Sequence, residues 1–207
     1  MPLDRRRLTL GLIASACAGP ALAQLPMRAA DQDLVDAAVA YLEGLKEAKG
    51  RFVQTDARGQ TTTGELFLKR PGKARFAYDP PSGLLVVSDG RTVAVADRRL
   101  KSFDSYPLGA TPLSLFLSRH ISLDQGVQVT GVTRMRDGFT VAVRDVRKQT
   151  PGQLELTFAQ APLRLAGWAV TDAQRRTTRV SLVDLSPAKG LSPDLFVLAD
   201  PRKTSRG

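Results

Sequence analysis

Between Arg51 and Asp97 the chain carries Phe52-Val53-Gln54, Gly64-Glu65-Leu66-Phe67-Leu68-Lys69-Arg70-Pro71, Arg75-Phe76-Ala77-Tyr78-Asp79-Pro80 and Leu84-Leu85-Val86-Val87-Ser88-Asp89-Gly90. Apolar and polar residues alternate at strand period, and Gly or Pro punctuates the joins. Counting by twos, Leu66, Leu68 and Arg70 share one face of a strand. A guanidinium on an apolar face is costly unless its donors meet acceptors. Arg70 therefore either reaches the rim, capping the strand ahead of Pro71, or latches onto another element.

Outward from this stretch, the pattern predicts strands over 51–56, 63–70, 74–79, 84–88 and 92–96, with Asp89-Gly90 as a hairpin turn between the last two. Strands return over 127–135, 139–146, 153–159, 163–170 and 177–185, with Asp137-Gly138 as a second hairpin turn and Leu195–Leu198 as a short final strand. Upstream, Leu34, Ala38, Leu42 and Leu45 lie at helical spacing and predict an amphipathic helix over 34–48, with Asp33 as N-cap and Gly50 as stop. A second, short helix starts at Thr111-Pro112 and carries the stripe Leu113, Phe116 and Leu117, ending around Arg119-His120. That stripe suits core packing or a movable cover over a cavity. Ten or eleven antiparallel strands in one domain of this size imply a strongly curved sheet or a barrel.

The first 23 residues have the layout of a secretory signal peptide. Arg5-Arg6-Arg7 form the basic region, Leu8–Cys17 the apolar run, and Ala21-Leu22-Ala23 an A-x-A cleavage site. The run is too short to span a bilayer, and Gly19-Pro20 argue against a buried helix. The arginines allow either general or twin-arginine export. Cys17 is the only cysteine. A lipidated Cys17 is the lesser alternative, because Ala14-Ser15-Ala16 lacks the expected leucine. Cleavage at Ala23 leaves residues 24–207 without thiol or disulfide, which suits an oxidising periplasm.

The formal charge of +10 falls to about +8 once the three arginines and Asp4 leave with the signal. The basic residues are scattered and aromatics are 6% of the chain, which speaks against a nucleic-acid binder. Solvated strand edges account for them, or attraction to anionic membrane surfaces or acidic partners. Catalysis finds little support. His120 is the only histidine, and no nucleophile elbow, phosphate-binding glycine loop, zinc motif or tight carboxylate cluster occurs. No enzyme activity, metal or cofactor is expected.

Taken in order, these motifs resemble the periplasmic outer-membrane lipoprotein carriers, the LolA family. The resemblance is carried by Phe52-x-Gln54 after an N-terminal helix, Gly64-x-Leu66-x-Leu68-Lys69-Arg70-Pro71, the aromatic pair Phe76 and Tyr78 with Pro80, Ser88-Asp89-Gly90, Thr111-Pro112-Leu113, Leu154-x-Leu156-x-Phe158, Asp172-Ala173-Gln174 and Thr178. It spans essentially residues 24–207. It implies a mainly β fold, an incomplete antiparallel barrel of about ten or eleven strands, with helices as a lid over its opening. It implies an apolar interior that holds lipoprotein acyl chains, for which Leu66, Leu68, Phe76, Tyr78, Leu113, Phe116, Leu117 and Trp168 are candidates. Arg70 matches the family's lid arginine. The implied partners are outer-membrane lipoproteins, an inner-membrane ABC transporter and an outer-membrane acceptor, with a monomeric carrier and no nucleic acid. Related folds also serve as lipid-sensing regulators or adaptors, or carry other lipids. Phe67 stands where family members often carry tryptophan, so aliphatic side chains are expected to line more of the interior.

Overall fold

The computed structural model describes residues 27–118, 127–145 and 152–200. Its strands are β1 (Glu47–Thr55), β2 (Thr61–Lys69), β3 (Lys73–Tyr78), β4 (Leu84–Asp89), β5 (Thr92–Asp97), β6 (Ser102–Pro107), β7 (Val127–Met135), β8 (Gly138–Asp145), β9 (Gln153–Gln160), β10 (Leu163–Thr171) and β11 (Thr177–Pro187). They form one 11-stranded antiparallel sheet in the order β6-β5-β4-β3-β2-β1-β11-β10-β9-β8-β7. First and last strands of the chain's two runs meet through β1 and β11, while β6 and β7 remain the two edges. The barrel is therefore unclosed. The chain joining its two edges carries a 3-10 turn, Leu108–Ala110, and the helix α2, Leu113–Leu117.

Curvature follows from ring contacts between distant strands. Phe76 on β3 and Trp168 on β10 are four strands apart in the sheet, yet their ring centroids are 6.0 Å apart. In a flat sheet that separation would be about 19 Å, at roughly 4.8 Å per strand. Strand period supplies the inner face: Phe52, Leu66, Leu68, Ala74, Phe139, Leu156 and Phe158 are all buried. Val35, Ala38 and Leu42 of the first helix and Leu115, Phe116 and Leu117 of α2 join the same core. Both helices thus fill the concave side of the sheet.

The helix α1 runs over Ala29–Gly44, several residues upstream of the predicted 34–48. Asp33 lies inside it rather than at its N-cap, a position held by Arg28 without any side-chain cap. Helical spacing from Leu34 to Leu45 is genuine, but Glu47–Gly50 leave it to pair with β2 and β11, Ala48 lying opposite Leu68 and Pro187. Two long-range ladders outweigh the strong local helical preference of Glu47, Ala48 and Lys49. Strand β6 has no counterpart in the sequence reading, because Ser102-Phe103-Asp104-Ser105-Tyr106-Pro107 lacks alternation. It exists through pairing with β5, as a polar edge ending in proline.

Leu195–Leu198 is a further correction. Pro193–Phe196 is a 3-10 turn whose N-cap Ser192 accepts from Asp194 N, and Phe196 is buried. Serine followed by proline starts a helical turn, which overrides the strand pattern. The second helix lies within the predicted stretch but starts one residue later, with Pro112 rather than Thr111 at its N-cap, and Ser118 closes it. Residues 1–23, expected to be a signal segment, and with them Cys17, lie outside the described residues, as do Arg119 and His120.

Candidate functional site

The site starts with Arg70, one residue beyond β2. Its backbone N donates to Lys46 O at 2.8 Å, and Gly72 N donates to Leu117 O at 2.8 Å, so the β2–β3 turn is tied to both helix ends. The guanidinium then spans them. Nη1 donates to Leu42 O in the last turn of α1, and Nη2 donates to Ser118 O at the end of α2, 2.6 Å away. Helix C-termini leave carbonyls without intrahelical partners and carry the negative end of the helix dipole, so one cation serves two such ends. Burial pushes the guanidinium below its ordinary pKa, and Glu43 opposes that shift. Nε is buried without a partner among the described residues. Leu66 and Leu68, on the same strand face, are fully buried.

Above this joint lies the aromatic interior. Phe116 of α2 stacks on Trp168, with centroids 5.5 Å apart and planes 27° apart. Phe52 packs edge-on against both Phe76 and Tyr78. Gly64 makes room for this cluster, since a Cβ there would lie 2.7 Å from the Phe52 ring. The Tyr78 hydroxyl donates to Gln54 Oε1 at 2.8 Å, and burial pushes its pKa up to about 12.

A cavity of about 200 Å³ remains between Phe76, Tyr78, Val86, Leu113, Trp168 and Val180. Gln54, Thr178 and the Asp172–Arg176 ion pair lie at its polar end. It holds only some seven water-sized volumes at roughly 30 Å³ each. A larger groove of about 610 Å³ lies elsewhere, between the end of α1 and the segment Pro187–Gly190. The smaller hollow is the one formed by inward side chains of β1, β3, β10 and β11, and it abuts the helix that blocks its enlargement.

Of the residues singled out from sequence, Phe76, Tyr78, Leu113 and Trp168 line this hollow, and Phe116 reaches it only by stacking on Trp168. Leu66, Leu68 and Leu117 are packed in the surrounding core instead. Val86, Val170 and Val180 complete the lining. Their strand parity was legible, but which parity faces inward was not. Among the described residues no three His, Cys, Asp or Glu side chains gather to hold a metal. None of the described helices is long and apolar enough to cross a membrane.

An unclosed sheet wrapped around apolar helices, with an aromatic hollow inside, defines a lid-covered β-barrel of the kind that shelters apolar ligands. The family profile "Outer membrane lipoprotein carrier protein LolA" matches residues 43–199, and the chain belongs to that family. It is 26% identical over 210 residues to the outer-membrane lipoprotein carrier protein of Cupriavidus necator, covering 92% of this chain and 95% of the relative. The protein of the same name from Chromobacterium violaceum is 25% identical over 207 residues, covering 94% and 93%. Among solved structures, a DUF1329 family protein from Desulfovibrio piger superposes with a TM-score of 0.53 at 12% identity, over 81% of this chain and 96% of that one, a likeness of fold alone.

Proposed function

We propose that this protein is a periplasmic carrier that takes up the acyl chains of outer-membrane lipoproteins and passes them between membranes. The observation that carries this reading is the bridge from Arg70 to Leu42 O and Ser118 O, because it closes two apolar helices over an aromatic interior. Membership of the carrier family supports the cargo class.

The energetics require a closable cavity. Each acyl methylene taken from water is worth about 0.8 kcal/mol, so a chain of some sixteen carbons is worth on the order of 12 kcal/mol. Escape into water is negligibly slow, and cargo has to move directly between apolar sites. An empty apolar barrel would expose a large patch, so the vacant state hides it. Phe116 and Leu113 are the plug, and Arg70 is the latch that holds it. Charge-assisted hydrogen bonds are worth about 1.5–3 kcal/mol each, enough to favour closure and small beside the lipid term. Withdrawal of α2 joins the 200 Å³ hollow to the space its side chains occupy.

In this reading the signal segment ends at Ala23, and residues 24–207 work as one monomeric carrier domain without catalytic activity, metal or cofactor. An inner-membrane ABC transporter loads it and an outer-membrane acceptor unloads it. The test is extraction and mass spectrometry of whatever co-purifies from the periplasm. Acylated lipoproteins are the expected finding; protein that arrives free of acylated cargo after lipoprotein export is stalled downstream would overturn the reading.

A further inference from the structure

The hairpin tips at one end of the barrel share an exposed basic surface. The turns β1–β2, β3–β4, β5–β6 and β10–β11 all lie at that end, because β1 and its antiparallel neighbours alternate in direction along the sheet. It is also the end where Gln54, Asp172, Arg176 and Thr178 mark the polar side of the cavity. Arg58, Arg98, Arg99, Lys101, Arg175 and Arg176 project from these tips and are exposed. The carboxylates beside them are engaged in holding the turns. Asp56 Oδ1 accepts from Arg58 N and Gln60 N, Asp97 Oδ1 from Arg99 N and Leu100 N, and Asp172 Oδ1 from Gln174 N and Arg176 N. Arg176 is also paired with Asp172, but the remaining cations of the tips have no carboxylate partner among the described residues.

At the summit of the β5–β6 tip stands Leu100, 75% exposed, the most exposed large apolar side chain of the described residues. Hairpin tips normally take Gly, Asn, Asp or Ser. Here a leucine is set between Arg98-Arg99 and Lys101, and the Asp97 carboxylate fixes its backbone outward. Arg98 N donates to Gly83 O at 3.0 Å and ties this tip to the neighbouring β3–β4 turn. A side chain suited to hydrocarbon, flanked along the turn by cations, matches the chemistry of an anionic bilayer surface.

We propose that this end of the barrel docks on anionic phospholipid membranes, Leu100 entering the acyl boundary and Arg98, Arg99 and Lys101 contacting headgroup phosphates. The inference rests on the carrier reading for its purpose: it brings the polar end of the cavity to the membrane surface, where acylated cargo is anchored. It does not rest on that reading for its test, since the empty protein suffices.

The experiment is co-sedimentation with vesicles of phosphatidylethanolamine containing phosphatidylglycerol, at about 0.1 M salt, against vesicles of phosphatidylcholine alone. Binding to the anionic vesicles only is expected. Leu100→Ser, which leaves the charge unchanged, should weaken it about tenfold, as expected for one buried leucine side chain. Arg98→Ser with Arg99→Ser should weaken it by about twenty-five-fold, at roughly fivefold per cation. The control is Arg91→Ser with Arg136→Ser, equal in charge change but placed on exposed turns at the opposite end. Its binding should fall less than twofold, on the order of the long-range charge effect beyond a Debye length. Equal loss in the tip and control pairs, or an unaltered Leu100→Ser variant, would reduce the effect to unspecific charge and overturn the proposal. So would absence of vesicle binding, including the case in which an acidic protein partner alone is retained through the tip.

Discussion

Phe116 and Trp168 lie stacked, 5.5 Å between centroids, so α2 rests directly on the chain's sole tryptophan. The same indole meets Phe76 edge-on at 6.0 Å, which makes it the point where α2, β3 and β10 share one contact. Removal of the helix from the interior therefore changes the environment of the only indole. Addition of an acyl-chain probe should shift and re-scale intrinsic fluorescence in the same concentration range as probe binding. Phe116→Ala should cost about 3–5 kcal/mol in a urea titration, as other buried phenylalanines do, and should raise the probe affinity by enlarging the hollow.

Loosening of the closed state is expected from Arg70→Leu. The two helix-end carbonyls lose a charged donor, at about 1.5–3 kcal/mol per bond. Apolar probe binding should rise while the far-ultraviolet circular dichroism stays that of a β protein. Arg70→Lys should fall between, because one ammonium cannot reproduce the fork that spans Leu42 O and Ser118 O. Wild-type probe affinity in a folded Arg70→Leu protein would remove the latch from the mechanism.

Gly64 is a packing requirement of the aromatic cluster. A Cβ there would lie 2.4 Å from Ala77 O and 2.7 Å from the Phe52 ring, and Ala77 O cannot yield without disturbing the β2–β3 ladder. Gly64→Val should destabilise the fold by about 2 kcal/mol or more, read as a lower urea midpoint.

Acid should weaken the fold through its paired carboxylates. The backbone of Leu191 and then Lys69 hold Glu47 below its ordinary 4.5, and Thr63 and Arg51 hold Asp79 below its ordinary 3.8. Arg176, first through its backbone, does the same for Asp172. A depressed folded value means the stabilisation is complete above the ordinary values and is lost as pH falls through the lower, folded ones. Melting temperature should be level from neutrality down to the ordinary carboxylate range and drop below it. Glu47→Gln should flatten part of that drop.

Tyr78 should titrate late. Burial raises its pKa to about 12, with the Gln54 hydrogen bond only partly opposing the shift. Absorbance near the phenolate band, followed upward in pH, should contain a component near that value. Tyr78→Phe should abolish it.

Strand parity alone placed Arg70 on the face of Leu66 and Leu68, because a period of two follows from the pleat of any strand. Turn chemistry likewise placed the hairpin at Asp89-Gly90, while Asp137-Gly138 marked the second hairpin one residue late, since Arg136 and Asp137 form its turn and Gly138 opens β8; helical spacing found the stripe of Phe116 and Leu117. These are local properties, encoded by neighbours a few residues apart. What Arg70 grips is not of that kind. Its acceptors are main-chain carbonyls of Leu42 and Ser118, and every residue carries a carbonyl, so no side-chain pattern singles them out. The extension of β1 to Glu47, the existence of β6 and the meeting of Phe76 with Trp168 depend on ladders and curvature spanning much of the chain. Alternation says which residues share a face; only closure of the sheet around its helices decides which face becomes the inside.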